Sequence, residues 1–308
     1  MLPFAAPDVL VLAGGGVLGE AWMTGVLAGI EAEAGIDLRR TEAFVGTSAG
    51  SIVAASLAAG RSPRRPAQGA PDVAPSGDPA ADDDDGLGAA ARRALRSAGA
   101  AAWAGTAPAA SAALAFGAGG GALARAAVLA RMPSGEGSLD GLGARVDGWG
   151  ARFDGRLRVC AVDRRRGRRV VFGAPGAPAA GVGEAVVASC SIPWVFAPVT
   201  IGGREYVDGG VWSVTNLDAA PAGRESHVLC LDVLSGLDPR GRGMVALRRA
   251  FRVAAELETQ TLRRRGAHVV RVGPDARAAD AIGDDLMAPG PRDAVLAAGF
   301  AQGVALVR

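Results

Sequence analysis

The chain has 308 residues, of which 49% are hydrophobic and 21% are charged. A chain of this composition can bury a full core, which excludes global disorder. Its 33 basic and 31 acidic residues give a formal net charge of +2, which lacks the basic excess of a nucleic-acid-binding protein. Every basic residue is arginine, and glycine is abundant at 46 residues, so runs of Ala and Gly alone do not indicate a structural element in this chain.

Cysteine and histidine usage limits the chemistry further. Cys160, Cys190 and Cys230 are odd in number and widely spaced, which argues against a disulfide framework. With only His227 and His268 present, no zinc-binding spacing exists, and neither a metal nor another cofactor is expected. Residues 1–38 contain no Arg or Lys, whereas a secretory signal needs a basic n-region. The sequence therefore predicts a cytoplasmic protein without a signal peptide.

Two strand–helix units are predicted at the start of the chain. The apolar run 8–13, bounded by glycines, predicts a buried strand, and helical periodicity follows over 19–33. A second short strand over 43–45 leads into a helix over 52–59. Strand–helix units with short connections favour an α/β fold with a parallel sheet.

The middle of the chain differs in composition. Residues 61–88 contain prolines and a run of aspartates, and are predicted to form a disordered or mobile insert. Residues 89–150 are rich in Ala and Gly and are predicted to form a helical cap or lid. The uncharged stretch 97–124 is long enough to span a bilayer. Pro108 and three consecutive glycines interrupt it, and Ala and Gly add little insertion energy, so no transmembrane span is predicted.

Regular structure is predicted again from residue 157 onward. The predicted strands are 157–162, 168–172, 195–201, 205–207, 228–234 and 268–272, and the predicted helices are 183–189, 243–265 and 292–306. The whole chain, 1–308, is thus expected to be one α/β domain. Its mostly parallel central sheet is flanked by helices, and the Ala/Gly-rich helical cap is inserted into it.

The sharpest motif is Gly46-Thr47-Ser48-Ala49-Gly50, which matches G-x-S-x-G. A nucleophilic serine projects its hydroxyl from a tight strand-to-helix turn that leaves no room for side chains two residues to either side. The N-terminus of the following helix favours developing negative charge. Because an apolar strand precedes the motif and a helical pattern follows it, Ser48 is the candidate nucleophile.

The loop Gly14-Gly15-Gly16-Val17-Leu18-Gly19 permits two functional interpretations. It fits the dinucleotide fingerprint G-x-G-x-x-G between a strand and a helix, although the next strand ends without the acidic residue that would hold the ribose. It also fits an oxyanion hole, in which bare backbone N–H groups point at a tetrahedral intermediate.

A third motif is Asp208-Gly209-Gly210. Asp-Gly is a common turn dipeptide, so this motif alone carries little weight. At the end of a strand in the same sheet as the other two motifs, Asp208 becomes the candidate base.

Along the chain the glycine loop comes first, the serine motif second and the Asp-Gly-Gly motif third, and in this order they resemble the motifs of the patatin-like phospholipases. A softer match is the small-residue block at 188–193, and the resemblance covers about 8–60 and 157–234. Two departures stand in the glycine loop, where many members carry an arginine in place of Leu18 and an aspartate in place of Ala13. Without that arginine, a preference for anionic head groups no longer follows from the resemblance.

The resemblance implies a Ser48–Asp208 dyad in which the aspartate takes the serine proton directly. It implies a serine acyl-ester hydrolase of phospholipase A, lysophospholipase or esterase type, with a lipid or other acyl ester as its partner and peripheral membrane contact. The implied oxyanion loop consists of Gly14, Gly15, Gly16, Val17 and Gly19. The implied elbow residues around the serine are Gly46, Thr47, Ala49 and Gly50, while Gly209 and Gly210 form the turn that presents Asp208.

Several alternatives remain open at this point. A Ser-His-Asp triad in the order of the α/β-hydrolases would combine Ser48 with Asp208 or Asp232 and with His268 or His227. A Rossmann-type protein would bind a nucleotide at the glycine loop, and a hydrolase-like scaffold would bind lipid without turnover. The arginine-rich segments 164–169 and 263–265 are open to two interpretations, a contact with anionic lipid or a solvated turn or helix face.

Overall fold

The computed structural model describes residues 6–67, 121–135, 137–237 and 242–308. The strands are β1 Val9–Leu12, β2 Ala43–Thr47, β3 Leu157–Asp163, β4 Arg168–Phe172, β5 Val199–Ile201, β6 Arg204–Asp208, β7 His227–Leu231 and β8 His268–Val272. The α-helices are α1 Gly16–Ala34, α2 Ala49–Ala58, α3 Gly121–Arg131, α4 Asp140–Gly148, α5 Val182–Cys190, α6 Arg242–Arg264, α7 Ala276–Ile282 and α8 Arg292–Val307.

Most of the predicted insert (61–88), and the part of the predicted cap (89–150) that precedes α3, lie outside the described residues. Helices α3 and α4 belong to the described part of the cap segment. None of the helices in the described ranges is long and apolar enough to cross a membrane.

One eight-stranded sheet forms the centre of the fold. Its order is β5-β6-β3-β2-β1-β7-β8, with β4 paired to β3 outside this path. The strands β3, β2, β1, β7 and β8 run parallel, whereas β4 and β6 are antiparallel to β3. The mostly parallel sheet flanked by helices that the sequence predicts is therefore confirmed.

Helices cover both faces of the sheet, which explains why the central strands are continuously apolar. In β1, Leu10 and Leu12 pack into a large core together with residues of α1, α2, α5 and α8. The alternate residues Val9 and Val11 point to the opposite face, where they pack with Leu262 of α6. Successive side chains on a strand alternate between faces, so one short strand contributes to both cores.

Strand β3 brings the ends of two other strands together. Along its first half it pairs with β2, and Thr47, the last residue of β2, lies opposite Cys160. Along its second half it pairs with β6, and Asp208, the last residue of β6, lies opposite Ala161. Because β2 and β6 run in opposite directions and pair with adjoining halves of β3, their carboxyl ends meet.

The predicted elements differ from the structure at several boundaries, and three differences have a clear local cause. Strand β5 is confined to Val199–Ile201, because the backbone N–H groups of Val195 and Phe196 donate to the Ile192 carbonyl and form a turn. The chain after β7 forms a short 3-10 helix at Val233–Ser235 instead of extending the strand to 234. Helix α7 is absent from the sequence prediction, although the Asp275 side chain caps it by accepting the Ala278 N–H at 2.8 Å.

Helices α1 and α8 cross with their backbones in direct contact. A Cβ atom at Gly25 or Gly29 of α1 would overlap a carbonyl oxygen of α8, and one at Gly303 of α8 would overlap a carbonyl oxygen of α1. The Trp22 indole N–H donates to Gln302 Oε1 at 2.8 Å across the same interface. Part of the glycine excess is therefore required for this helix packing.

We expect Gly29→Ala to lower the free energy of unfolding by about 1–3 kcal/mol, because the added methyl group overlaps the Phe300 carbonyl and forces the helices apart. Urea denaturation measures the change. Gly141→Ala is the matched control, since this helical glycine has nothing near the added Cβ and the substitution is expected to be neutral or to stabilise the helix. Equal stability changes in the two variants would contradict the close-contact explanation.

Candidate active site

Ser48 occupies the turn between β2 and α2 with φ 51° and ψ −124°. A positive φ in a non-glycine residue is strained and requires support from its surroundings. The two flanking glycines are required sterically, because a Cβ at Gly46 would overlap Ser51 and one at Gly50 would overlap the Leu12 carbonyl. The structure thus gives a physical reason for the G-x-S-x-G spacing, with the half-buried Ser48 at its apex and Ala49 as the first residue of α2.

Hydrogen bonds hold this strained turn in place. The Ser48 backbone N–H donates to Ser189 Oγ at 2.8 Å, and the Ser189 hydroxyl donates to the Cys160 carbonyl at 2.6 Å. On the other side, the Ser51 hydroxyl donates to the Ser48 carbonyl at 2.6 Å. The backbone of Ser48 is thereby fixed while its side-chain hydroxyl remains free for other partners.

Asp208 is fixed by a comparable set of contacts. Its backbone N–H donates to the Ser191 carbonyl at 2.9 Å, and its Oδ1 accepts the Gly210 N–H at 2.7 Å. Gly209 lies so close to strand β3 that a Cβ there would overlap the Cys160 carbonyl. The two glycines of the motif therefore have different tasks, one allowing close approach and the other donating to the carboxylate.

The carboxyl group of Asp208 is buried, and this burial raises its pKa from the ordinary value of 3.8 to about 6. The Gly210 N–H and the Ser48 hydroxyl lower the pKa by smaller amounts. Among the described residues, Oδ2 has no hydrogen bond of ordinary geometry, although the Ser48 hydroxyl is near enough to affect the titration. A carboxyl group whose pKa lies near neutrality is suited to accept the proton of a serine hydroxyl that it faces.

Asn216 connects the serine turn to the aspartate turn. It is fully buried, and its Nδ2 donates to Thr47 Oγ1 at 3.0 Å and to the Gly209 carbonyl at 3.3 Å. Its Oδ1 accepts from Arg169 Nη1 at 3.2 Å. One side chain thus bridges the last residue of β2 and the residue that follows Asp208, and it fixes the relative position of the two turns.

A buried carboxyl group supports the Asn216 segment from helix α6. Glu258 Oε2 accepts the Thr215 hydroxyl at 2.6 Å and the Leu217 N–H at 2.8 Å, on either side of Asn216 in the chain. Burial raises the pKa of Glu258. The hydrogen bonds from both neighbours hold Asn216 in its left-handed conformation, φ 47°.

The glycine loop lies against the serine turn, since a Cβ at Gly14 would be 3.5 Å from Ser48 Cβ. Two of its N–H groups are already engaged, because Gly14 donates to the Val214 carbonyl and Gly19 donates to the Gly15 carbonyl. The N–H groups of Gly14 and Gly19 are therefore not available as oxyanion donors in this structure, and of the two positions only Gly19 is sterically tight, with an added Cβ 3.1 Å from Val233. No acceptor among the described residues takes the N–H groups of Gly15, Gly16 or Val17, where the first turn of α1 leaves donors unpaired.

Within the part of the chain that the structure describes, the electrostatic character of the loop comes from helix ends, because position 18 carries a leucine and not a cation. Helices α1 and α2 both begin at the site, and helix N-termini stabilise negative charge. Leu18 is fully buried in the core, and its N–H donates to the Leu286 carbonyl at 3.0 Å. Position 18 thus supplies packing where many patatin-like proteins have an arginine.

Both histidines lie at the opposite edge of the sheet. His227 and His268 begin the parallel strands β7 and β8, pair with each other in register, and are exposed. Their rings stack on each other at 5.1 Å. Ser48 follows the carboxyl end of β2, so neither histidine is placed to contact it. The triad alternative with His227 or His268 is therefore contradicted by the topology.

Asp232, the other acid considered for a triad, lies 3.7 Å from Arg271 in an ion pair. Within the described ranges, no group of three or more His, Cys, Asp or Glu side chains is arranged to hold a metal ion.

The sequence reasoning missed four residues that build the site. Ser189 and Ser191 fall inside the small-residue block at 188–193, so that block carried a usable signal, although not the hydrogen bonds themselves. Asn216 and Glu258 had no local signal, because their importance comes from contacts between segments that are distant in sequence.

A family model described as patatin-like phospholipase matches residues 10–221, which is more than half of the chain. No functionally curated protein matches. Among solved structures, the chain is similar to VipD from Legionella pneumophila, with 15% sequence identity and a TM-score of 0.41, over 98% of this chain and 67% of that chain. The family model shows that the chain belongs to the patatin-like phospholipases.

We expect Asn216→Gly to slow covalent labelling of Ser48 by a fluorophosphonate probe by about tenfold and to lower the free energy of unfolding by about 2 kcal/mol. The variant leaves Thr47 Oγ1 and the Gly209 carbonyl buried without this donor. Glycine tolerates the left-handed backbone, so the loss reports on the side chain. The labelling time course and urea denaturation provide the two measurements.

Glu225→Gly is the control for Asn216→Gly, because Glu225 also has a positive φ, 64°, but is exposed and distant from the motifs in sequence. It should label at the parent rate. Parent-rate labelling of Asn216→Gly would show that the bridge does not position the serine.

Proposed function

Because the chain belongs to the patatin-like phospholipase family, we propose that it is a serine acyl-ester hydrolase that cleaves lipids with Ser48 as nucleophile and Asp208 as base. Family membership supports lipid acyl hydrolysis in general. The observation that carries the assignment of the residues is the buried carboxyl group of Asp208, which faces the strained Ser48 turn and has a pKa of about 6.

In the first half of the proposed reaction, the Asp208 carboxylate accepts the proton of the Ser48 hydroxyl as Oγ attacks the ester carbonyl carbon. The carbonyl oxygen becomes an oxyanion, which the N–H groups of Gly15, Gly16 and Val17 stabilise. When the tetrahedral intermediate collapses, the C–O bond to the leaving alcohol breaks, and protonated Asp208 returns its proton to that oxygen. The acyl group remains esterified to Ser48.

In the second half, water replaces the alcohol. Asp208 accepts a proton from this water, and the resulting hydroxide attacks the acyl carbon to form a second oxyanion in the same loop. Collapse breaks the bond to Ser48 Oγ, which recovers its proton from Asp208, and the free fatty acid leaves. The proton balance closes with one water consumed per ester, and no cofactor enters either step.

The environment of Asp208 compensates for the intrinsic weakness of a carboxylate as a base. An ordinary aspartate with a pKa near 4 takes a proton from a serine hydroxyl poorly. Burial raises the pKa of Asp208 to about 6, which brings it closer to the range in which a general base works well at neutral pH. The rest of the rate enhancement is assigned to the backbone donors, each typically worth about 3 kcal/mol of transition-state stabilisation.

We expect Ser48→Ala to abolish hydrolysis across a panel of phospholipids, lysophospholipids and neutral esters, and Asp208→Asn to reduce kcat by on the order of 10³-fold or more. Fluorophosphonate labelling should disappear in Ser48→Ala. The double variant His227→Ala/His268→Ala is the control and should keep parent activity, because both histidines lie at the opposite edge of the sheet.

Two outcomes would contradict this assignment. Loss of activity in the histidine variant would overturn the dyad. Labelled Ser48 without turnover of any ester in the panel would identify a lipid-binding scaffold instead of an enzyme.

The pH dependence of the rate provides an independent prediction. Since only the ionised form of Asp208 accepts a proton, kcat/KM should rise about tenfold per pH unit below pH 6 and level off above it. A rate that is flat between pH 4.5 and 7, ranges chosen around the pKa of about 6, would exclude Asp208 as the titrating base.

The free energy of unfolding should fall as the pH rises, whereas kcat/KM should increase. The folded-state pKa of Asp208 lies above its ordinary value of 3.8, so its contribution to stability is present at low pH and is lost as the pH rises through about 6. Asp208→Asn removes this loss, and the variant should gain roughly 3 kcal/mol relative to the parent between pH 4 and pH 8. Urea denaturation of both proteins across this range isolates Asp208 from the other buried acids.

A further inference from the structure

A cavity of about 550 Å³ lies beside the turn that joins β3 to β4. Helix α3 contributes to its wall, as does the start of β6. Five arginine side chains line it, namely Arg165, Arg166, Arg168, Arg169 and Arg204. The single acidic side chain in the lining is Asp163, whose Oδ1 accepts the Arg166 backbone N–H at 2.9 Å and so stabilises the turn.

Most of this positive charge has no counter-charge within the described part of the chain. Arg169 forms a two-pronged ion pair with Asp218. No carboxylate of the described residues lies within ion-pair distance of the other four arginines. Four like charges around one cavity repel one another, and an anion bound among them would relieve that repulsion.

The arginines extend beyond the edge of the sheet that carries Ser48. Cys160 of β3 lies opposite Thr47, and β3 continues for three more residues to Asp163, or about 10 Å at the rise of a β-strand. The β3–β4 turn follows, and β6 begins at Arg204 in the same region, because Tyr206 pairs with Asp163. The cavity and Ser48 therefore both lie beyond the carboxyl ends of the parallel strands.

Apolar side chains accompany the arginines. Leu123 of α3 lines the cavity and is 83% exposed. The ring of Trp212, which is 36% exposed, lies 4.3 Å from the guanidinium of Arg125 and 5.4 Å from that of Arg169. Exposed aliphatic and aromatic groups beside arginines are typical of a surface that rests at the boundary between lipid headgroups and acyl chains.

We propose that this arginine cavity binds the phosphate group of an anionic membrane lipid, and that the protein docks on the lipid surface with the Ser48 edge facing the bilayer. Guanidinium groups pair with phosphate oxygens through two parallel hydrogen bonds, which four arginines without carboxylate partners are free to form. The arginine cavity would thus provide the positive charge that Leu18 does not supply. The inference concerns binding and does not require that the protein hydrolyse its lipid.

Co-sedimentation with vesicles tests the proposal. The whole 308-residue chain with Ser48→Ala, which lacks the proposed nucleophile, is mixed with vesicles of phosphatidylcholine alone or of phosphatidylcholine with phosphatidic acid. We expect binding only to the anionic vesicles, weakened by added salt. Adding Arg165→Gln and Arg166→Gln should reduce the vesicle partition coefficient at least tenfold, since each arginine near an anionic surface contributes roughly fivefold.

The matched control variant carries Arg264→Gln and Arg265→Gln, which remove the same amount of charge. Both arginines are exposed, at the end of α6 and just beyond it. They precede the start of β8, which lies at the opposite edge of the sheet. The control variant should bind like the parent. Equal weakening in this control would overturn the proposal in favour of a general charge effect, and so would equal binding to vesicles without phosphatidic acid.

Calorimetry with inorganic phosphate distinguishes a lipid site from a site for a soluble anion. Saturable phosphate binding that depends on Arg165 and Arg166, without vesicle binding, would overturn membrane docking. All of these binding measurements use the Ser48→Ala protein, so they can be interpreted even when the hydrolase proposal is wrong. Absence of vesicle binding would, in turn, leave the results of the hydrolysis assays unaffected.

Discussion

The site depends on how β3 divides its pairing between two neighbours. Hydrogen bonds to β2 end at Cys160 and those to β6 begin at Ala161, so the strand ends that carry Ser48 and Asp208 meet at a separation set by backbone geometry. Such a ladder fixes positions more tightly than long side chains on loops would. The surrounding hydrogen bonds from Ser189, Ser191 and Asn216 then hold an arrangement that the sheet has already created.

Among the described residues no cation accompanies the buried Asp208, and this burial disfavours the ionised carboxylate and raises its pKa, which suits the proposed role of base. Among the interactions that affect its pKa, the hydrogen bonds from Gly210 and Ser48 only partly offset the cost of burial, and no arginine contributes. A cation within a few ångströms would lower the pKa and weaken the base. Leu18 in the loop is buried and uncharged, and the arginine cavity is lined by residues other than those that contact Asp208. Both features keep positive charge away from this carboxyl group.

Much of the fold was accessible from the sequence because it depends on local patterns. The apolar run of β1 and the glycine spacing around Ser48 each reflect a constraint that acts within a few residues. Helix α7 was missed because its alanines looked like compositional bias and its Asp275 cap was overlooked. Asn216 and Glu258 were missed for a different reason, since a buried polar residue shows its role only when the partner that satisfies it is known.

The glycine composition links a distant helix crossing to the oxyanion loop. Glycines at the α1–α8 crossing let the two backbones touch, and α8 is preceded directly by the segment that contains Leu286. The Leu286 carbonyl accepts the Leu18 N–H and lies where a Cβ of Gly16 would be. This contact holds the segment against the first turn of α1, where the N–H groups of Gly15, Gly16 and Val17 have no acceptor among the described residues. The α1–α8 crossing and the Leu286 contact thus both act on helix α1, whose first turn carries the proposed oxyanion donors.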